Sequence, residues 1–321
     1  MRKNSNKYPR SYPHGLMFHR FCFSGSPPSG QGSMTEIEFE KILLHVGIER
    51  ILAPSEWLLK VQERRLGKKD LCITFDDGLQ SQINVALPVL KRYKLKAFWF
   101  IFSSVFEGHV NKNEVYNYFA TSEFENFDLF VDSFLSRLSL PNMLFSGKQY
   151  LEYFSKIKSK HSFYTENDLK FRFIRNYFLS KDQFENEVDQ MILEKGKNIR
   201  EIADKIWMKD KELHRLHSEG HTIGLHSYNH PYVLSELSKD EQRNEYCENL
   251  RHVTSVIKNS VTSMSHPLNS YGPETLDILH SIKIICGFRS DMEPKPLSAK
   301  SHLPNLQFPR EDSSNLFKNI R

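Results

Sequence analysis

Two short segments of the chain carry side chains that could share one piece of chemistry. In Thr74-Phe75-Asp76-Asp77-Gly78 an apolar run ends in two adjacent carboxylates and a glycine. Neighbouring residues of a strand point to opposite faces, but at a strand end, beside a glycine turn, both carboxylates can aim into one pocket. Two like charges held that close need a positive partner, and a divalent cation is an effective one. Asp and Gly also favour turns for their own sake, so a simple turn and a site are equally good readings of this segment taken alone.

The second segment, His226-Ser227-Tyr228-Asn229-His230, sets two imidazoles four residues apart after the apolar Thr222–Leu225. An i, i+4 pair can share a metal from one helical turn. Pro231 disfavours helix at His230, so a tight turn at a strand end is the expected form. With 14 histidines in the chain, one such pair arises readily by chance. Joined to the aspartate pair it completes an Asp/His/His set. Three protein ligands and an open fourth position are the make-up of a catalytic metal site, not a closed structural one. Ser227 reads as a cap of the turn and not as a nucleophile.

TFDDG followed by HSYNH resembles the first two motifs of the polysaccharide deacetylases, the NodB-homology carbohydrate esterases, which read TFDDG and H[ST]xxH. The flanking stretches LPVLKRYKLKAFWFIF and SEGHTIGLHSYNHPYVLSELS agree with it, over roughly 70–108 and 210–290, with weaker echoes in GLMFHRF and LQFPRED. The resemblance implies a distorted (β/α) barrel, seven-stranded and TIM-like. It implies a metal-dependent hydrolase acting on a non-peptide C–N bond, removing an acetyl group from a sugar of a glycan or glycan precursor. Carried over residue by residue, Asp77, His226 and His230 become metal ligands and Asp76 the general base. The cofactor is a divalent metal, zinc first, with cobalt or nickel as alternatives. The chemistry is coherent: metal-bound water, its pKa lowered from 15.7 to about 7 in the best-known zinc enzymes, is the nucleophile. The carboxylate beside it accepts its proton, and the metal with a backbone N–H stabilises the oxyanion.

The chain departs from that pattern in two places. The family's third motif is an Arg-Pro-Pro-Tyr-like segment whose Arg orients the catalytic Asp; here Ser265–Gly272 puts His266 in the Arg position and Asn269 or Tyr271 in that of the Tyr. His266 is therefore a candidate to orient Asp76, with Arg310 of Phe308-Pro309-Arg310-Glu311-Asp312 as the alternative from a distant segment. The family's Leu-x-x-His general acid has no clear copy, and His302 and His266 are the nearest candidates. His19, ending the first strand, can face the same mouth, because strand C-terminal ends gather there; an ordinary strand-end histidine is the competing reading. With Asn269 and Tyr271, His19 is taken as substrate-lining. The unfilled acid position keeps two rivals open: a catalytically impaired carbohydrate- or metal-binding module of this fold, and a hydrolase of another C–N bond.

The elements that must position these residues are legible as apolar runs. Gly15–Phe18, Leu71–Phe75, Ala97–Phe102 and Thr222–Leu225 read as strands covered on both faces, with Ser263–Ser265 and Lys283–Gly287 as weaker candidates. Helices are expected at Asn84–Lys94, where Pro88 argues for a late start or a kink. Others are expected at Lys209–Gly220, at Ser238–Asn259 behind a capping box, and from Pro273. Strand–helix alternation argues for parallel βαβ units. Residues of about 107–205 break the rhythm with polar, aromatic, helix-like text, so the expectation is one domain over 1–321 with a helical insertion, either a substrate lid or extra structural helices. Ser24–Ser33 is a Gly/Ser/Pro-rich loop.

Composition narrows the field. A chain of 321 residues with 39% hydrophobic and 26% charged residues has a sizeable core. Mean hydropathy is −0.52 and no apolar run approaches the roughly 18 residues of a membrane span. The net charge of +5 is too small and dispersed for a nucleic-acid footprint. Cys22, Cys72, Cys247 and Cys286 are far apart and read as buried free thiols in a reducing compartment. The basic start is followed by polar text and not an apolar h-region. A cytoplasmic, at most membrane-peripheral, enzyme of cell-surface glycan synthesis is the resulting expectation, acting on an acetylated sugar or glycan precursor. The oligomeric state is not legible.

Overall fold

The computed structural model describes residues 8–26, 28, 30, 32–141, 143–160, 164–293 and 303–318, so His302 lies outside the described residues. Nine strands form among them: β1 (His14–Phe18), β2 (Phe21–Cys22), β3 (Met34–Thr35), β4 (Leu71–Asp76), β5 (Ala97–Ile101), β6 (Thr222–Leu225), β7 (Ser263–Ser265), β8 (Cys286–Phe288) and β9 (Arg310–Asp312). Seven of them make one parallel sheet in the order β8-β7-β6-β5-β4-β1-β9, while β2 and β3 pair separately. Residues 308–312 join the two edges of the large sheet. Phe308 exchanges backbone bonds with Gly287 and Arg289, both at 2.9 Å, and Arg310–Asp312 pair with β1. The sheet is thereby nearly closed into a barrel with helices around it.

Strand alternation sorts the residues of β4. Leu71, Ile73 and Phe75 belong to the large core formed with helix residues such as Ile42, Leu90, Leu213, Val253 and Ile278. Cys72 instead packs with Phe98, Phe100, Cys286, Phe288 and Trp57 in a second cluster. The run reads as wholly apolar because both faces are covered, yet its parity delivers Thr74 and Asp76 to the same side as Cys72. Gly224 on β6 has no room for a side chain: a Cβ there would lie 2.6 Å from the Phe100 ring and 2.7 Å from the Ser263 carbonyl.

Most boundaries fall near those expected. Ser238 caps Lys239–Ile257 in a complete capping box with Glu241, and Pro273 opens Pro273–Ser281. Around Pro88 the chain forms a π-helical turn, Gln82–Ala86, and then the α-helix Leu87–Arg92 with the proline in its first turn. The strand expected at Lys283–Gly287 begins only at Cys286. Lys283 takes a left-handed φ of 69° and Ile284 N donates to Leu279 O at 3.0 Å, so these residues finish the preceding helix. The four cysteines are free thiols; Cys72 and Cys286 are buried, and Cys22 and Cys247 half-buried.

A second compact unit consists mainly of Val110–Ile206. It contains the helices Lys112–Ser122, Phe127–Ser136, Lys148–Lys160, Glu166–Phe173, Lys181–Glu194 and Ile199–Ile206. Rings of Phe119, Phe130, Phe134, Phe171 and Phe184 pack in its core, largely edge to face. No helix among the described residues is long and apolar enough to cross a membrane.

Candidate active site

The aspartate pair reaches one pocket because the chain reverses hand at its second member. Asp76 ends β4 on the inner parity of Cys72 and Thr74. Asp77 and Gly78 then take φ values of 77° and 72°, a left-handed pair that turns the Asp77 carboxylate back to the same mouth. Gly78 is also crowded: a Cβ would stand 3.0 Å from Ile101 Cδ1. Ser227 and His230 adopt φ of 64° and 56°, so the histidine segment is a tight left-handed turn and not a helix. Ser227 Oγ accepts from His230 N at 3.1 Å and closes that turn, as a cap. Such costly backbone at three of these positions is the pattern of a functional site.

Asp77 Oδ1 lies 3.6 Å from His226 Nε2 and 3.7 Å from His230 Nε2, and the three donor atoms are all within 4.8 Å of one another. A tetrahedral zinc with bonds of about 2.0–2.2 Å separates its donors by about 3.3–3.6 Å, so the residues present fit a divalent cation. The donor chemistry fits too. His226 Nδ1 donates to the Ser265 carbonyl at 2.8 Å, which leaves the Nε2 lone pair facing Asp77. Burial pushes the His226 imidazole down to about 4, so it is neutral at ordinary pH. His226 N is held by Asn249 Oδ1 at 2.9 Å, and Asn249 in turn donates to Ile101 O and Ser103 Oγ, each at 2.9 Å. Glu245 accepts from Tyr228 N, Asn229 N and Asn229 Nδ2 at 2.8–2.9 Å, clamping the turn between the two histidines.

Asp76 is gripped from across the barrel. Arg310 starts β9 at the level of Gly15, and its side chain climbs past Thr74 to make a two-pronged pair with the carboxylate. The bonds are Nη1 to Oδ1 at 2.6 Å and Nη2 to Oδ2 at 2.7 Å. Gly15 leaves the space for that stem, since a Cβ there would meet Arg310 Cγ at 3.0 Å. Arg289 O and Ser265 Oγ accept from the same guanidinium at 2.9 and 2.8 Å, and Ser265 Oγ also lies 3.2 Å from Asp76 Oδ2. Burial opposes ionisation of Asp76, but Arg310, more than His226 and His19, outweighs it and holds the carboxyl well below the usual carboxylate range. Asp77 is likewise lowered: burial opposes its ionisation, and His19, His230 and His226 together overcome it.

Of the remaining sequence candidates, His19 stands at the site: Nε2 is 3.7 Å from Asp76 Oδ2, with the side chain 31% exposed. Its position follows the inner parity of Gly15 and Met17. His266 does not orient Asp76. It is fully buried, its Nε2 donates to Leu306 O at 2.8 Å and its ring stacks on Tyr271 at 3.9 Å between centroids, so the guanidinium that bonds Asp76 is that of Arg310. Asn269 pairs with Asp291 and accepts from Ser290 N, and the Tyr271 hydroxyl reaches Gln307 Oε1 at 3.3 Å; both side chains tie loops to each other. Ser265, Gln82, Asn249 and Glu245 were not picked out from sequence. The inner parity of Ser263–Ser265 marks Ser265, but no local signal marks the other three.

These features define a class: a (β/α) barrel that gathers polar side chains from several strand tips at one mouth. The sequence profile described as polysaccharide deacetylase matches residues 63–124 and 178–285, more than half of the chain, and the chain belongs to that family of C–N hydrolases. Among solved structures it is similar to the Streptococcus pyogenes deacetylase PplD in complex with acetate, at 15% identity and a TM-score of 0.55, covering 97% of this chain and 99% of that one. It is similar to IcaB from Ammonifex degensii, at 13% identity and a TM-score of 0.55 over 97% of both chains. The de-N-acetylase from Aggregatibacter actinomycetemcomitans aligns at 12% identity and a TM-score of 0.53, over 96% and 99%. At such identities the likeness establishes the fold. No curated protein sequence matches the chain.

Proposed function

We propose that the protein is a metal-dependent hydrolase that removes the acetyl group from an N-acetylated sugar of a glycan or glycan precursor. The chain is read as one deacetylase domain carrying about 107–205 as a helical insertion. The observation that carries the proposal is the juxtaposition of an Arg-clamped carboxylate, Asp76, with the Asp77/His226/His230 donor set. Held by those three residues, a divalent cation, zinc in the first instance, would polarise the acyl oxygen and acidify a water.

The chain's own groups supply the proton movements. Arg310 keeps Asp76 ionised and fixes its plane, so Oδ2, which lies 3.7 Å from His19 and 3.8 Å from His226, is the oxygen aimed at the reacting centre. Asp76 accepts the proton of the attacking water at Oδ2 as the oxygen–carbon bond forms. The amine leaves only if its nitrogen is protonated, and His19 Nε2 is the group that supports this role. It is half-exposed, it adjoins the base, and it comes from a different strand from the ligands. Its presence favours an enzyme over a binding module that has lost its acid.

The experiment is acetate release from an N-acetylated amino-sugar oligomer by the chain loaded with Zn²⁺ or Co²⁺. Asp76→Asn is expected to lower kcat by at least about 100-fold. Normal turnover by that variant would refute the base assignment, and no release from any acyl sugar by the loaded wild type would refute the deacetylase reading.

A further inference from the structure

We propose that Gln82 is the positioning residue that sets the spacing between His19 and Asp76, an inference that rests on the roles assigned to those two residues above. The parallel ladder between β1 and β4 ends with Phe18 opposite Phe75. The next residues in register, His19 and Asp76, therefore lie just past the last pair of the ladder. Gln82 bridges them. Its side chain is fully buried, and Nε2 donates to Asp76 O at 2.6 Å and to His19 O at 2.8 Å.

The chemistry of the junction selects a carboxamide. Both neighbours are carbonyl oxygens, which cannot bond each other, and a primary amide carries two hydrogens on one nitrogen. A carboxylate would set negative charge against both carbonyls, and an aliphatic side chain would remove both bonds. The local fold is built to deliver this group. Gln82 opens the π-helical turn Gln82–Ala86, Gln82 N donates to Leu79 O at 3.0 Å, and the adjacent Ser81 Oγ accepts from Phe21 N at 3.3 Å. The turn that follows TFDDG thus bonds both His19 and Phe21 just beyond β1, and π-turns concentrate at functional sites.

The Asp76 carboxylate is held by Arg310 whether or not Gln82 is present, so loss of Gln82 should bear on the placement of the proton donor His19 and have a distinctive kinetic signature. Departure of an amine needs a proton, whereas 4-nitrophenolate leaves without one. Gln82→Met is expected to lower kcat on the N-acetylated amino-sugar oligomer by about 10- to 100-fold while KM moves less than about threefold. On 4-nitrophenyl acetate the same variant should stay within about threefold of wild type. His19→Gln should lower kcat on the N-acetylated oligomer at least as far, and the double variant should lose little beyond His19→Gln alone. Equal losses on both substrates, or losses that multiply in the double variant, would overturn the proposal. Gln82→Asn, which keeps the two hydrogens on a shorter stem, serves if Gln82→Met fails to fold. A crystal structure of the variant gives a readout free of activity: His19 Nε2 should move by more than about 1 Å from its place beside Asp76 Oδ2, a displacement of the size that costs about 100-fold in rate. An unchanged separation would overturn the proposal even if the wild type released no acetate, whereas the absence of acetate release would count against the deacetylase reading alone.

Discussion

Removing Arg310 tests the grip on Asp76 through stability, independently of any substrate. Arg310 and Asp76 are 0% and 2% exposed at their side chains, with two charged hydrogen bonds at 2.6 and 2.7 Å. Deleting one partner of such a pair strands the other charge in the interior, at about 3–5 kcal/mol. Arg310→Met should therefore cost about 3–5 kcal/mol in urea unfolding of the metal-free chain, with an unchanged m-value. Asp76→Asn should also destabilise, and the double variant should recover about 1–3 kcal/mol relative to the sum of the singles. The pH dependence adds a second check. Burial is already the largest single influence on Asp76 and Arg310 the foremost group opposing it, so with Arg310 gone the carboxyl should move up. The folded variant then binds the extra proton, so acidification should stabilise it relative to wild type, where the lowered carboxyl contributes stability above pH 4 that is lost on acidification. Single losses that add within about 0.5 kcal/mol, or a cost of Arg310→Met below about 1 kcal/mol, would refute the reasoning.

Other outcomes follow from the same geometry. Gly15→Ala would place a Cβ 3.0 Å from Arg310 Cγ; the flexible stem should yield, so kcat/KM should fall about 10-fold in the acetate assay with little change in the urea midpoint. Glu245→Gln, which weakens the clamp on Tyr228 N and Asn229 N, should lower Zn²⁺ affinity by about 10-fold in competition titrations. Burial lowers His14 and His221 to about 4. Both are neutral when folded and become charged in the unfolded chain below its pKa of about 6.5, so unfolding free energy should fall between pH 6.5 and 4 by about 1.4 kcal/mol per unit for each; His221→Gln should flatten the slope by one such share.

The parts of the site that were legible in sequence are the local ones. TFDDG and HSYNH each hold their side chains within five residues, and the left-handed turns at Asp77 and Ser227 are what let such close neighbours converge. Apolar runs marked the strands, and Ser238 and Pro273 marked helix starts, because caps act within one turn. Arg310 was ambiguous for a physical reason: it meets Asp76 from 234 positions away, and only closure of the sheet by residues 308–312 brings it there. His266 occupied the expected place in the chain, but its ring turns to Tyr271 and Leu306. Gln82 was invisible because its role depends on the register of β1 against β4, which no local spacing encodes.

The most direct test is a titration of the chelator-treated chain with Co²⁺, followed by absorption in the visible region. The expected result is one ion bound per chain, with the intense ligand-field bands of a low-coordinate site containing two imidazoles, abolished together with tight binding in Asp77→Asn, His226→Gln and His230→Gln. No stoichiometric binding, or an undiminished spectrum in all three variants, would contradict the shared cation on which the catalytic reading stands.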